Sequence, residues 1–245
     1  MKKENGFTLV EAIVALFIGS LMLMAIYSAV NTGQSSSAKI ERRVSAQQDV
    51  RGALELMAME IQMASYNPTL NNNIWVSPAD CASASSNMTY RGIQAAGPNS
   101  ITIEMDMNGT GVINTTSNPN EIITYVYNSA NNYITRNTNC ATINQPFLGA
   151  LNANADTKTV LVVNSTAGPG NTAIPVFRYY NGSGTDISGT VVSSPADNTL
   201  GIPAIRRIEI TLVVDTATSD IDTGTKRRII YSTSVIPRNH PNPIF

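Results

Sequence analysis

The run from Phe7 to Val30 constrains this chain more than any other stretch. It is predominantly apolar, and its one charged residue is the acid Glu11. About 20 such residues, wound as a helix, cover the roughly 30 Å hydrocarbon core of a bilayer. Lys2 and Lys3 precede the run, and the nearest later cations are Lys39, Arg42 and Arg43. That asymmetry keeps the N-terminus on the cytoplasmic side and sends the rest across. A plain signal anchor accounts for this much. A secretory peptide fits poorly, because it is cut after its apolar region. Here the small-residue junction, Gly6-Phe7, lies before that region. Glu11 is harder to explain, since an unpaired carboxylate at the centre of a bilayer costs about 2.5–3.5 kcal/mol on insertion scales. A simple anchor offers it no partner. Cleavage after Gly6 would create one, a positive α-amine on Phe7. That amine can pair with Glu11 of a neighbouring copy when helices pack side by side.

The stretch KENGFTLVEAIVAL resembles the prepilin leader of type IV pilins and type II secretion pseudopilins. The resemblance implies cleavage by a prepilin peptidase after Gly6, N-methylation of Phe7, and an inter-subunit salt bridge through Glu11. Leader, Gly-Phe, spaced acid and apolar run all occur in order.

After Val30 the period becomes that of an amphipathic helix. Ile40, Val44, Val50, Leu54, Met57, Ile61 and Ala64 fall at three-and-four spacings, with Gln47 in the one polar slot. Arg51 and Glu55 are spaced to pair at i,i+4. Met57, Met59 and Met63 read as core packing. Pro68 disfavours helix at the residue before it, so one helix is expected from about Phe7 to Tyr66. Gly19-Ser20 and the patch from Gly33 to Ser37 are weak helix formers. They read as ordinary juncture sequence or, by analogy with pilins, as a place where the helix yields during packing.

From Asn67 the helical period is lost. Strands are expected at Ser100–Met107, Glu121–Tyr127, Tyr133–Arg136, Thr159–Val163, Ile174–Tyr180, Ile205–Val214 and Arg228–Ile236. IEITLVVD and IIYSTSV read as a C-terminal antiparallel hairpin joined through a loop containing Gly224. NSANN and NGSG read as turns, and residues 77–99 and 138–158 as polar loops. The fold class is therefore α+β, a long N-terminal helix followed by antiparallel sheets. The expected division is a leader at 1–6, a membrane half of the helix at 7–30, an amphipathic half at 31–66 and a β-rich domain at 67–245.

Charged residues are scarce at 13%, and the net charge is −1, so nothing here balances a phosphate backbone. No nucleic-acid partner is expected. His240 is the lone histidine, which leaves no material for a Ser-His-Asp set or a multi-histidine metal site, and an enzyme is the least expected class.

QQDVRGALELMAMEIQMASYNP resembles the helix end of PilW-like minor pilins. DMNGTG, EIITYVYNSANNYITRN, VFRYYNGSG, IRRIEITLVVDT and STSVIPRN follow in that family's order. PilW-like proteins are related to the J-type pseudopilins of type II secretion. The resemblance implies a lollipop-shaped subunit at or near the tip of a type IV pilus, helping to initiate assembly. Its implied partners are other minor pilins, the major pilin, the prepilin peptidase and the inner membrane. Its implied location runs from the inner membrane through the periplasm to the cell-surface pilus. A J-type pseudopilin, and a tip adhesin or uptake subunit, stand as alternatives.

Three side features remain. Cys81 and Cys140 lie outside the membrane by the topology above, so they form a disulfide or remain two buried thiols. DMNGTGVIN places Asp106, Asn108 and Thr110 at alternate positions, as in a calcium loop, but Ser117 stands where an EF-hand has its bidentate Glu. The stretch is a strand-end turn or a weak calcium site; PilW-like relatives often carry Asp where this chain has Thr110. No other cofactor is expected. Trp75 reads as a packing residue where the chain leaves the helix.

Overall fold

The computed structural model describes residues 8–113, 119–140, 145–149, 160–216 and 226–240. Helix α1 runs unbroken over Leu9–Met63. The Gly19-Ser20 and Gly33–Ser37 stretches are helical, and serine hydroxyls in them bond back to the preceding turn. Ser20 Oγ donates to Phe17 O at 2.7 Å and Ser35 Oγ to Thr32 O at 2.9 Å. The helix stops short of Tyr66 because Ser65 takes a left-handed conformation, φ 67°, and gives its amide to Glu104 O at 2.9 Å.

Contacts divide the chain into two units, Met1–Ser45 and Ala46–Phe245. The second unit holds the C-terminal part of α1 and two antiparallel sheets. The first sheet is a meander of β1 (Ile93–Ala96), β2 (Ser100–Glu104), β3 (Ile122–Asn128), β4 (Tyr133–Thr138) and β5 (Pro146–Leu148), paired in that order. The second contains β6 (Val160–Val162), β7 (Phe177–Tyr180), β8 (Arg207–Thr216) and β9 (Arg228–Val235). Strand β9 pairs β8 from Ile208↔Val235 to Asp215↔Arg228, as the alternation in both segments predicts. A short helix, α2 (Ser188–Ser193), follows β7.

Ala46, Val50, Ala53, Leu54, Met57 and Ile61 form the buried face of α1 and join one core with residues of both sheets, among them Ile101, Tyr125, Phe177 and Leu212. Three expectations for this helix change. Ile40 and Val44 are 64% and 45% exposed, because the packed stripe begins at Ala46. Met59 is 52% exposed, whereas Met57 is buried and Met63 packs against the core. Arg51 does not pair with Glu55 but stands 5.6 Å from the centroid of the Tyr231 ring on β9.

Two segments expected as loop are strands. β1 pairs β2 through a register shift between Ile93 and Ala95, and β5 pairs only the end of β4. Both are short edge strands without a sustained alternation, and β5 opens on Pro146, which an edge tolerates.

β6 and β7 share the edge of β8 opposite β9, β6 at Val214–Thr216 and β7 at Arg207–Ile210. The gap between them is filled by one side chain. Asn164 Nδ2 donates to Thr211 O at 2.8 Å and Ile174 O at 3.1 Å, and Asn164 Oδ1 accepts from the Val213 amide at 2.9 Å. Its amide group stands in for a missing peptide of the ladder, and the residue is fully buried. Asn164→Leu leaves these backbone groups without partners, so it should lower the unfolding free energy by about 3 kcal/mol. Denaturant unfolding of the full chain in detergent checks this, and a loss under about 1 kcal/mol would contradict the bridging role.

Candidate functional site

The first amides of a helix lack intrahelical acceptors, and in hydrocarbon they lack water as well. Thr8, just before helix α1, and Glu11 in its first turn answer this. Glu11 Oε2 accepts from the Thr8 amide and the Thr8 hydroxyl, both at 2.9 Å, and the Glu11 amide donates to Thr8 Oγ1 at 3.3 Å. This is a capping box, in which Thr and Glu three residues apart satisfy each other's backbone donors. The T-x-x-E spacing is legible in the sequence, and it is a role for Glu11 that pairing with an amine passes over. Glu11 Oε1 takes no part in the box. Gly6 and Phe7 lie outside the described residues.

Every large apolar side chain between Leu9 and Val30 is exposed, and α1 is long and apolar enough to cross a membrane. Nothing in the described part of the chain covers this surface. Lipid or neighbouring helices are the media that would remove it from water.

The other residues singled out by sequence sit in the second unit. Cys81 and Cys140 are joined by a disulfide, with Cα atoms 5.8 Å apart and a sequence separation of 59. A loop of that length contributes about 4 kcal/mol on the chain-entropy account. Around it lies a small core of Ile74, Trp75, Val76, Ile113 and Ile122. Asp106, Asn108 and Thr110 come together in one turn. Asp106 Oδ1 and Oδ2 accept the Thr110 and Gly111 amides at 3.0 and 2.8 Å, and Asn108 Oδ1 accepts the Thr110 amide at 3.1 Å. The described oxygens thus close the turn on its own amides, with Gly109 and Gly111 at φ 70° and 74°. Among the described residues, no three His, Cys, Asp or Glu side chains group to hold a metal ion.

Three buried titratable groups carry no signal in the sequence. Glu60, on the buried face of α1, is gripped by Arg136 of β4, with Nη2 at 2.6 Å and Nε at 3.1 Å. Tyr125 of β3 donates its hydroxyl to the same carboxylate. Burial, and then the Glu60 carboxylate, push the Tyr125 phenol well above its ordinary pKa. The ion pair and the phenol pin the helix to the meander sheet.

His240 is the second group. Its Nε2 lies 2.9 Å from Ile202 O, so Nε2 carries the proton. Its Nδ1 lies 3.0 Å from Ser65 Oγ, which in turn accepts the Gly92 amide at 3.0 Å. Neutral His240 therefore accepts a hydrogen bond from the Ser65 hydroxyl at Nδ1. Burial first, then the Arg206 and Arg91 charges, push its pKa down to about 4, against the backbone bond to Ile202. The residue is a fastener between helix end and C-terminal tail.

Glu104, at the end of β2, is the third. It is fully buried, and Oε2 accepts the Val76 amide at 3.1 Å while Oε1 has no hydrogen-bond partner among the described residues. Burial pushes its pKa up to about 8. Between its ordinary value of 4.5 and about 8, the unfolded carboxyl ionises while the folded one keeps its proton. Glu104 therefore costs stability as pH rises through that window. His240 acts oppositely, contributing stability above its ordinary 6.5 that is lost as pH falls towards about 4.

Residues 1–27 match the family model described as the Prokaryotic N-terminal methylation motif. No curated protein and no solved structure gives a significant match. The matched motif supports a type IV pilin-like chain that is processed by a prepilin peptidase and assembles into a pilus-like filament.

Wild type should lose stability on the alkaline side between pH 6.5 and 8. Glu104→Gln should remove that decline and unfold at higher denaturant at pH 8. Unfolding midpoints of both proteins across pH 5–8 check this, and parallel alkaline declines would refute the buried neutral carboxyl.

Proposed function

We propose that this chain is a minor pilin, a structural subunit at or near the tip of a type IV pilus that helps to prime assembly. The observation that carries the reading is the N-terminal motif on a helix whose large apolar side chains, from Leu9 to Val30, are exposed among the described residues. Cleavage after Gly6 and methylation of Phe7 belong to the prepilin peptidase. The subunit's own work is packing.

In this reading Glu11 does two things in sequence. As a monomer in the membrane it caps its own helix through Oε2. On packing, Oε1 remains to meet the α-amine of a neighbouring Phe7, so the cap need not break for the salt bridge to form. The DMNGTG block and the STSVIPRN ending favour the pilus over a J-type pseudopilin, whose N-terminal features are the same. The β-rich unit would contact other minor pilins, and the protein would pass from inner membrane to surface filament.

Glu11→Gln keeps a capping oxygen and removes the charge. It should insert stably yet be depleted several-fold from sheared filaments, measured by immunoblot against the membrane fraction. Recovery equal to wild type would sink the salt bridge while leaving the cap intact. Surface pili counted by electron microscopy in a strain lacking the gene test the priming role. Loss of pili restored by complementation is the expected outcome, and normal pili would move the assignment to the pseudopilin.

A further inference from the structure

The outer edge of β9 differs from the other strand edges among the described residues. Its eight residues, Arg228–Val235, pair β8 along their whole length without a register shift. The Thr216 amide donates to Arg227 O at 3.0 Å, which makes those two residues a hydrogen-bonded pair of the ladder. Such pairs alternate in an antiparallel ladder, so Ile229, Tyr231, Thr233 and Val235 bond to β8. Arg228, Ile230, Ser232 and Ser234 therefore turn their N–H and C=O groups outward. The far edge of β8 agrees, since Thr211 and Val213 are the residues that meet Asn164 there. Among the described residues, no hydrogen bond reaches the outward groups of β9.

A free edge invites another strand, and proteins blunt such edges with bulges, prolines, charges or covering segments. The other edges here show these devices. β1 has four residues and a register shift, and β5 has three and opens on Pro146. At β6 the Val162 amide donates to Asn132 O at 2.8 Å. At β7 the Ile187 amide donates to Tyr179 O, and Ser188 Oγ accepts the Tyr179 amide, both at 2.9 Å. β9 has no proline and no bulge, and its one charged side chain, Arg228, is paired with Asp215 at 2.9 Å. Ile230 on the strand and Ile236 just beyond it are exposed. Beside this edge α1 supplies Ala58, Met59 and Gln62, which line a groove with Ser234, Val235 and Ile236.

The chemistry of the edge selects its occupant. The outward groups recur at every second residue, about 6.6 Å apart, a spacing that another extended backbone matches. A second copy of this chain fits badly. Arg51 stands over Tyr231, and Gln62 O accepts the Arg238 amide at 3.4 Å, so α1 and β9 run in the same direction. Two β9 edges paired antiparallel would set their helices antiparallel, against the common orientation that one membrane imposes. Paired in parallel, one sheet is turned over and the helices lie on opposite faces, apart from any shared bundle. The contact is therefore heterologous. We propose that the β9 edge receives an extended strand from a different pilin-like subunit, which continues the second sheet. The identity of that partner rests on the filament reading above.

The test places p-benzoylphenylalanine at Ser234 of the full chain in its native host and irradiates the cells. Adducts are identified by mass spectrometry in the membrane and sheared-filament fractions. The expected adduct joins this chain to another protein carrying an N-terminal methylation motif. Ile230→Pro removes an outward N–H and no ladder bond, which an edge strand tolerates. It should unfold at the wild-type midpoint and lose the adduct several-fold. Should Ile230→Pro fail to fold, Ile230→Lys decides, because it keeps the backbone and sets a charge on the edge, with the same loss expected. No adduct, an adduct between two copies, an adduct to a protein without the motif, or an undiminished adduct in a folded variant would each overturn the proposal. An adduct formed in the membrane by a chain that never enters filaments supports the edge and overturns the filament reading, so the two fail separately.

Discussion

One helical face, Ala46 to Ile61, organises the unit that follows it in the chain. Residues of two antiparallel sheets, Tyr125 and Phe177 among them, share one core with it. Burying this face stabilises both partners, because an isolated amphipathic helix and an isolated short-stranded sheet each leave apolar area in water. Glu60 adds direction to an otherwise slippery contact. A buried carboxylate must find its donors, and Arg136 and Tyr125 offer them at one register only.

The same helix faces a different problem towards its N-terminus. From Leu9 to Val30 its apolar side chains have no partner in the described chain. Several polar groups there bond locally: the Thr8–Glu11 box takes the Thr8 and Glu11 amides, and Ser20 bonds Phe17 O. That is the requirement of a segment without access to water. One continuous element thus serves two environments, and the change is marked by which residues are exposed rather than by a break in the helix.

Much of the second unit is held by polar groups that replace backbone. Asn164 completes the edge of β8 where β6 and β7 leave it open. His240 and Ser65 join helix end, turn and tail through one chain of hydrogen bonds. The disulfide does covalently for the Trp75 core what these do by hydrogen bonding. Such residues read as turn formers or loop residues in a sequence. Their signal is a partner 10 to 175 residues away, which no local pattern contains.

The sequence by itself determined the helix, the membrane-length run, the Gly6-Phe7-Glu11 arrangement and the long hairpin of β8 and β9. Each depends on a period or spacing within a few residues, so local physics suffices to read it. It also contained the Thr8–Glu11 box. Tertiary structure alone decided where the packed stripe begins, since Ile40 and Val44 repeat the period as well as Val50 does. It decided that β1 and β5 are strands, because edge pairing supplies hydrogen bonds that their composition does not announce. It also brought Arg91, Arg206 and His240 to one cavity. Groups set far apart along the chain become neighbours only through the packing of the segments that carry them.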